Sequence, residues 1–210
     1  MPARVSETFV LRTYPFREAD LIVSFFTRDQ GKLRGVARRA RRPKSAFGSG
    51  LERLSQVRMA YFMRENAELA SLSSCELIES PMSLEPDYAR SLALDYLTEV
   101  SEHLLPPHEP NEKFYRLIKA ALTHLRTGDV WPAIDYFSLW AVRLTGVLPE
   151  LRGTRETADL VEEMFAKPLT GLSDRPWNKS TLAPLRRSLV RAMEQHAERR
   201  FLTVPLLEAL

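Results

Sequence analysis

The chain changes its hydrophobic period once, near Ser83, and that change governs what it can fold into. Before it, Val5 to Thr13, Leu21 to Thr27, Leu33 to Ala37, Leu51 to Met63 and Glu68 to Ile78 are short runs rich in Val, Ile, Phe, Thr and Leu. Turn or polar signals separate them: Pro15-Phe16-Arg17-Glu18-Ala19-Asp20, Asp29-Gln30-Gly31 and Arg64-Glu65-Asn66. Asp29-Gln30-Gly31 predicts a tight hairpin turn, with Gly31 where φ must be positive. Five short strands within about eighty residues fit a small closed barrel, of which the five-stranded OB-fold is the obvious member. A sandwich built from so few strands would leave open edges to protect.

From Ser83 onward the period is helical. Ala89, Leu92, Ala93, Tyr96, Val100 and Leu104 share one face of a helix that stops at Pro106-Pro107. Asn111 caps the next, whose stripe is Phe114, Leu117, Ile118, Ala121, Leu122 and Leu125. Thr127-Gly128-Asp129 breaks it. Pro132 suits the first turn of a third helix, with Ile134, Phe137, Trp140, Ala141 and Leu144 inward and Gly146 as its stop. Thr154 to Phe165 is a weaker helix, and Ser180 or Thr181 opens a last one carrying Leu182, Leu185, Leu189 and Met193. These stripes assemble most simply as a helical bundle. The predicted architecture is therefore a β plus α chain. An N-terminal five-stranded OB-fold barrel over residues 1–80 is followed by an all-α helical bundle over 81–210.

Composition narrows the function. No run of eighteen apolar residues exists, and Met-Pro-Ala-Arg-Val at the start lacks the apolar core of a signal peptide, so the expectation is a cytoplasmic protein without a membrane partner. A single cysteine, Cys75, excludes an intrachain disulfide and any multi-cysteine zinc site. Lying beside Leu72 and Leu77, it reads as a small buried hydrophobe rather than a nucleophile, and none of His103, His108, His124 and His196 sits in a motif that would activate it. The chain has no Walker-type loop, no GxGxxG after a strand, no HExxH and no GxSxG elbow. Glu162-Glu163 falls on a solvated helix face. Glu18 and Asp20 could hold a divalent ion, but a polar turn with local ion pairing explains them better. The reading is a binding protein, not an enzyme, with no metal and no cofactor.

What it binds is suggested by charge. Lys32 to Lys44 holds seven basic residues in thirteen, and no acidic residue occurs from Gly31 to Leu51. This segment carries +7 in a chain of net charge +3, leaving −4 for the rest. So local an excess concentrates polyanions, nucleic acid above all, although a solvated loop is the plain alternative. An OB barrel binds strands by a basic groove and aromatic platforms. The expected phosphate contacts are Lys32, Arg34, Arg38, Arg39, Arg41, Arg42 and Lys44. Lys32 and Arg34 point to one side of a strand, and Arg38 to Lys44 form a mobile loop. Phe47 either stacks on a base or anchors the loop. Of the adjacent pairs Phe25/Phe26 and Tyr61/Phe62, one member each must lie outside the barrel. A second basic group, Lys179, Arg186, Arg187, Arg191, Arg199 and Arg200, is interrupted by Glu194 and Glu198. It reads as a solvated helix face, an extension of the DNA path, or a grip for an acidic peptide tail beside an apolar pocket.

The residues also carry a resemblance. Thr8 to Thr13, Arg17-Glu18-Ala19-Asp20-Leu21-Ile22-Val23 and Phe26 to Ala37, followed by Arg41-Arg42-Pro43-Lys44-Ser45 and Gly50-Leu51, resemble in order and spacing the bacterial RecO family. Leu144-Thr145-Gly146-Val147-Leu148-Pro149-Glu150-Leu151 is similar to that family's "leucine, Gly, then Pro-x-Leu" segment. The resemblance implies an OB-fold followed by a helical domain, and work in RecF-type recombinational repair near the bacterial nucleoid. It implies binding of single- and double-stranded DNA, strand annealing, contact with the acidic C-terminal tail of single-strand-binding protein, and action with RecR to load RecA. Many members place a four-cysteine zinc module after the Pro-x-Leu segment. Arg152 to Leu172 has no cysteine, so no zinc is expected and a short helix stands in its place. The alternatives from the residues themselves are an RNA-binding OB module, a metal-dependent nuclease using Glu18 and Asp20, and a protein adaptor with a basic loop.

Overall fold

In the computed structural model, the described residues are 3–64, 67–81, 87–151, 154–173, 175 and 177–210. The expected turn at Glu65-Asn66 and the period change at Ser83 lie outside them. Two compact units result. The first joins residues 1–85 with 101–115, and the second joins 86–100 with 116–210.

The first unit is a closed barrel. Its strands are β1 (Arg4–Phe16), β2 (Asp20–Thr27), β3 (Gly31–Ala37), β4 (Gln56–Phe62) and β5 (Ala70–Glu79). They are ordered β1-β2-β3-β5-β4, and β4 pairs back to β1. Among the described strands β3 and β5 run parallel and the other pairs are antiparallel. Closure removes the edges that a five-stranded sheet would otherwise expose. This is the OB-type barrel that strand number and length predict. Gly31 has φ +76° at the β2–β3 turn, and a side chain there would also collide with the backbone of Glu109. Both the turn and the close approach require glycine.

Alternation settles the aromatic pairs. Phe25 and Tyr61 point inward with Val10, Val23, Leu33, Val57, Met59 and Leu72, their rings 5.7 Å apart. Phe26 points outward but is fully buried. Its ring lies 6.1 Å from those of Phe114 and Tyr115, and Phe9 lies 4.6 Å from Tyr115. Gln56 Nε2 donates to Tyr115 Oη at 3.2 Å. β4 begins five residues later than Leu51 because Leu54 adopts φ +56°, and its N–H bonds to Val10 O (2.6 Å) instead of continuing the ladder.

The helices are α1 (Tyr88–Leu104), α2 (Glu112–Leu125), α3 (Val130–Leu144), α4 (Arg155–Ala166), α5 (Ala183–His196) and α6 (Thr203–Ala209), with a 3₁₀ turn at Leu169–Gly171. Asn111 Oδ1 accepts from Phe114 N at 3.0 Å, the predicted cap. Gly146 takes φ +76° just beyond α3. In the second unit α3 is the hub, with Pro132 to Leu139, Ala141 and Val142 all buried. Tyr96 of α1 bonds Ser138 at 2.7 Å, and Trp140 Nε1 donates to Met164 O of α4 at 3.1 Å.

α4 occupies the segment where the family resemblance would put a zinc module, one residue shifted from the predicted 154–165 and capped by Thr154, whose Oγ1 accepts from Thr157 N. Glu163 ties the following segment back to it. Its carboxylate accepts from Ser173 N (2.7 Å), Lys167 Nζ (3.0 Å), Arg175 Nη2 (2.8 Å) and the Ser173 hydroxyl. The Ser173 and Lys167 donors hold the Glu163 carboxyl down at about 2.

Two corrections concern the C-terminal end. Thr181 does not open α5; its hydroxyl accepts from Asn178 N (2.9 Å), and the helix begins at Ala183. A further helix, α6, follows. Its N-terminus is capped by the buried Glu99 carboxylate, which accepts from Leu202 N (2.8 Å), Thr203 N (2.9 Å) and Thr203 Oγ1 (2.7 Å). Seven residues containing Pro205 carry little local helix signal; tertiary capping stabilises them.

Candidate nucleic-acid interface

The basic segment leaves β3 at Ala37 and returns to β4 at Gln56 as consecutive tight turns. Arg42 N bonds Arg39 O (3.0 Å), Ser45 N bonds Arg42 O (3.2 Å), Gly48 N bonds Ser45 O (3.4 Å) and Gly50 N bonds Phe47 O (3.0 Å). Ala40, Phe47 and Leu51 turn inward against the barrel core. The backbone is also stitched to the β1–β2 turn: Arg41 N donates to Ala19 O at 3.1 Å and Arg39 N to Asp20 Oδ1 at 2.8 Å. The expected mobile loop is therefore a hydrogen-bonded structure with apolar anchors. Phe47 is the principal anchor. Only 3% exposed, it is a core residue and offers no face to a base, which decides its two readings for packing. Its carbonyl also accepts from Cys75 Sγ at 3.1 Å. Burial pushes the Cys75 thiol up to about 11, away from nucleophilic use.

With the apolar residues inside, the cations are outside. Arg38, Arg39, Arg41, Arg42 and Lys44 are all exposed. Among the described residues none of Arg38, Arg39, Arg42 and Lys44 enters an ion pair, and the Arg41 guanidinium donates to the Glu18 carbonyl at 3.4 Å. Arg39 and Lys44 hold left-handed φ values of +57° and +61°, sharp bends that keep the run at one end of the barrel.

Lys32 and Arg34 do share one side of β3, as alternation predicts, but that side is occupied. The Lys32 ammonium donates to Glu102 O, and burial lowers its pKa. Arg34 Nη2 lies 3.3 Å from Glu102 Oε1, and Ser24 Oγ donates to Glu102 Oε2 at 2.6 Å. His108 N bonds Lys32 O at 3.0 Å. Residues 101–115 thus cover the β2–β3 face on which OB-folds commonly seat oligonucleotides. Lys32 is a structural cation here, and Arg34, still half exposed, is paired. Within this unit, the exposed Arg38–Lys44 run lies at the end that carries the β1–β2 and β3–β4 turns.

Sequence reasoning missed one cation at that end. Arg17, exposed at φ +54° in the β1–β2 turn, sits 5.1 Å over the Phe16 ring. Its neighbours Glu18 and Asp20 drew it into a local ion-pair reading; the only signal in its favour is its place in the loop to which the basic run is bonded. Asp20 Oδ1 accepts from Arg39 N, which ties Asp20 into the loop. Among the described residues no group of three His, Cys, Asp or Glu could hold an ion.

The second basic group is mostly engaged. Arg186 makes a bidentate pair with buried Asp135 (Nε to Oδ1 2.7 Å, Nη2 to Oδ2 2.9 Å), donates to Lys179 O (2.9 Å) and lies 4.4 Å over the Trp131 ring. Burial raises the Asp135 pKa against the pull of that guanidinium. Lys179 donates to Glu208 O, and Arg200 pairs with Glu194 at 2.6 Å. Arg187 and Arg191, one helical turn apart, are exposed. They rim a cleft of about 690 Å³ between α5 and α6, floored by Tyr96, Val190, Phe201, Val204 and Leu207. No described helix is long and apolar enough to cross a membrane.

Comparison with known proteins identifies the family. The chain matches the family described as "Recombination protein O N terminal" over residues 1–81 and that described as "Recombination protein O C terminal" over 85–154. The protein named "DNA repair protein RecO" in Koribacter versatilis (strain Ellin345) is 41% identical over 239 positions, covering 98% of each chain. The proteins of that name in Symbiobacterium thermophilum (34%) and Syntrophus aciditrophicus (30%) align with 68% and 70% of this chain, which spans 56% and 57% of their length. With both halves of the family pattern in order along an OB-type barrel and its helices, the chain belongs to the RecO family of DNA repair proteins.

Proposed function

We propose that the protein is a DNA-binding recombination mediator. In this reading it anneals complementary strands and, with RecR, helps load RecA onto single strands coated with single-strand-binding protein. Residues 1–80 act as the nucleic-acid module, and 81–210 form the helical module. The observation that carries the reading is the exposed Arg38–Lys44 run, which among the described residues has no ion-pair partner and is displayed on anchored turns at one end of the barrel. A cationic surface holding two strands cancels part of their mutual repulsion, so annealing follows from charge and needs no catalytic group. Contacts to phosphate are sequence-tolerant and weaken with salt by roughly 0.7 log units per contact per tenfold salt for single strands.

The test is annealing of complementary oligonucleotides, bare and coated. Wild type is compared with a variant carrying Arg38, Arg39, Arg41 and Arg42 all changed to Ala. Fast annealing lost in the folded variant is the expected result. A wild type that does not anneal DNA but binds RNA tightly turns the reading toward an RNA module.

The α5–α6 cleft supports the partner side of the proposal. Two exposed arginines beside an apolar floor suit an acidic peptide such as the C-terminal tail of single-strand-binding protein. Changing Arg187 and Arg191 to Ala is expected to weaken binding of that tail peptide about tenfold or more, charge-assisted contacts being the strong ones. DNA affinity should be left in place.

A further inference from the structure

A carboxylate stands where a polyanion-binding surface should tolerate none. Asp20, at the start of β2, is tied directly into the cationic β3–β4 loop. Electrostatics alone makes it a defect, because it subtracts attraction for phosphate. Its contact explains its presence. Asp20 Oδ1 accepts the backbone N–H of Arg39 at 2.8 Å, and Arg39 is held at φ +57°, a conformation that non-glycine residues rarely adopt unaided. β3 has ended at Ala37, so this N–H has no ladder partner. The turn that follows closes with Arg42 N on Arg39 O at 3.0 Å, and Ala40 in its middle packs against the barrel core. Arg38 and Arg39 therefore leave the chain on one side of an inward-facing alanine, Arg41 and Arg42 on the other.

We propose that Asp20 is a positioning residue for nucleic-acid binding, its carboxylate clasping the β3–β4 loop to the β1–β2 turn so that the arginines around Ala40 are presented as one preformed set. The companion bonds, from Arg41 N to Ala19 O (3.1 Å) and from Arg41 Nη1 to Glu18 O (3.4 Å), use backbone acceptors that any sequence supplies. Asp20 provides the clasp's side-chain acceptor. A set fixed before binding does not lose that conformational freedom on binding, which favours affinity beyond what its charge count provides. The inference rests on the reading of this loop as the nucleic-acid site.

The experiment compares wild type, Asp20→Ala and Asp20→Asn for binding a fluorescent single-stranded oligonucleotide across a salt series. Bulk charge predicts tighter binding by both variants, with steeper salt slopes, since each removes one negative charge. The clasp predicts the opposite sign for Asp20→Ala: about fivefold weaker binding despite the added net positive charge, a loss in the range of one ordinary intramolecular hydrogen bond. Asp20→Asn keeps an oxygen acceptor and is expected to recover most of it. Asp20→Ala binding as tightly as wild type or more so overturns the proposal, as does Asp20→Asn binding as weakly as Asp20→Ala. Amide exchange in the unaltered protein gives a second measurement that needs no variant to fold: the Arg39 N–H should be protected, and free exchange overturns the clasp. A wild type that shows no salt-dependent binding at all defeats the nucleic-acid reading itself, a result distinct from either variant outcome.

Discussion

In the β3–β4 loop, Asp20 meets Arg39 through its backbone N–H and leaves the guanidinium in solvent. In α5, Asp135 meets Arg186 through the guanidinium itself, taking up its Nε and Nη2. The two basic stretches look alike in composition, yet one displays its charge and the other uses much of its charge internally. The difference lies in where the fold delivers a carboxylate. Around the loop, Glu18 offers only its carbonyl to Arg41. Around α5, Asp135 and Glu194 are brought within 2.7 Å and 2.6 Å of guanidinium nitrogens. A count of arginines therefore measures neither available charge nor binding capacity.

Stability should break this comparison most sharply if it is wrong. Arg186→Ala strands a buried carboxylate, and a destabilisation of about 3–5 kcal/mol of the helical unit is expected. Urea denaturation followed by the fluorescence of Trp131, over which Arg186 lies, would read it. Each alanine in the loop should cost no more than about 0.5 kcal/mol. Comparable losses in both regions would erase the distinction.

Acid sharpens it next. Glu163 has its pKa depressed from 4.5 to about 2 by its hydrogen-bond donors. The stability that follows from such a depression is fully present above 4.5 and disappears as pH falls toward 2. The stability gap between wild type and Glu163→Gln should shrink as pH is lowered through that window. A gap independent of pH would show that the carboxylate is not the tie between α4 and residues 167–175.

The smallest effect separates two cations of the same basic run. Arg38→Ala should flatten the salt dependence of single-strand binding by roughly 0.7 log units per tenfold salt. Lys32→Ala should leave that slope where it is, because the Lys32 ammonium already donates to Glu102 O. Equal slopes in the two variants would return Lys32 to the binding surface.

Much of the fold was legible in the chain because its signals are local. The Asp29-Gln30-Gly31 turn, the Asn111 cap and the stop at Gly146 each depend on one residue's conformational or hydrogen-bonding preference, and all occur where expected. α6 was not legible, since its N-terminus is satisfied by Glu99, about a hundred residues away. The candidate site was half legible. The charge run marked a stretch whose arginines prove exposed, while Phe47 and Lys32 turn instead to the barrel core and to Glu102. Arg17 joined the cationic end because the β1–β2 turn is bonded to the loop.

What the sequence by itself determined is the alternation that makes a five-stranded barrel, the helical period after it, and a local excess of positive charge. These are properties of neighbours along the chain, where spacing and side-chain type suffice. Only the tertiary structure decided which face of the barrel is covered, which arginines find carboxylates and how the basic turns are tied down. Those outcomes depend on groups far apart in sequence reaching hydrogen-bond distance, and burial and pairing, unlike charge, cannot be counted from composition.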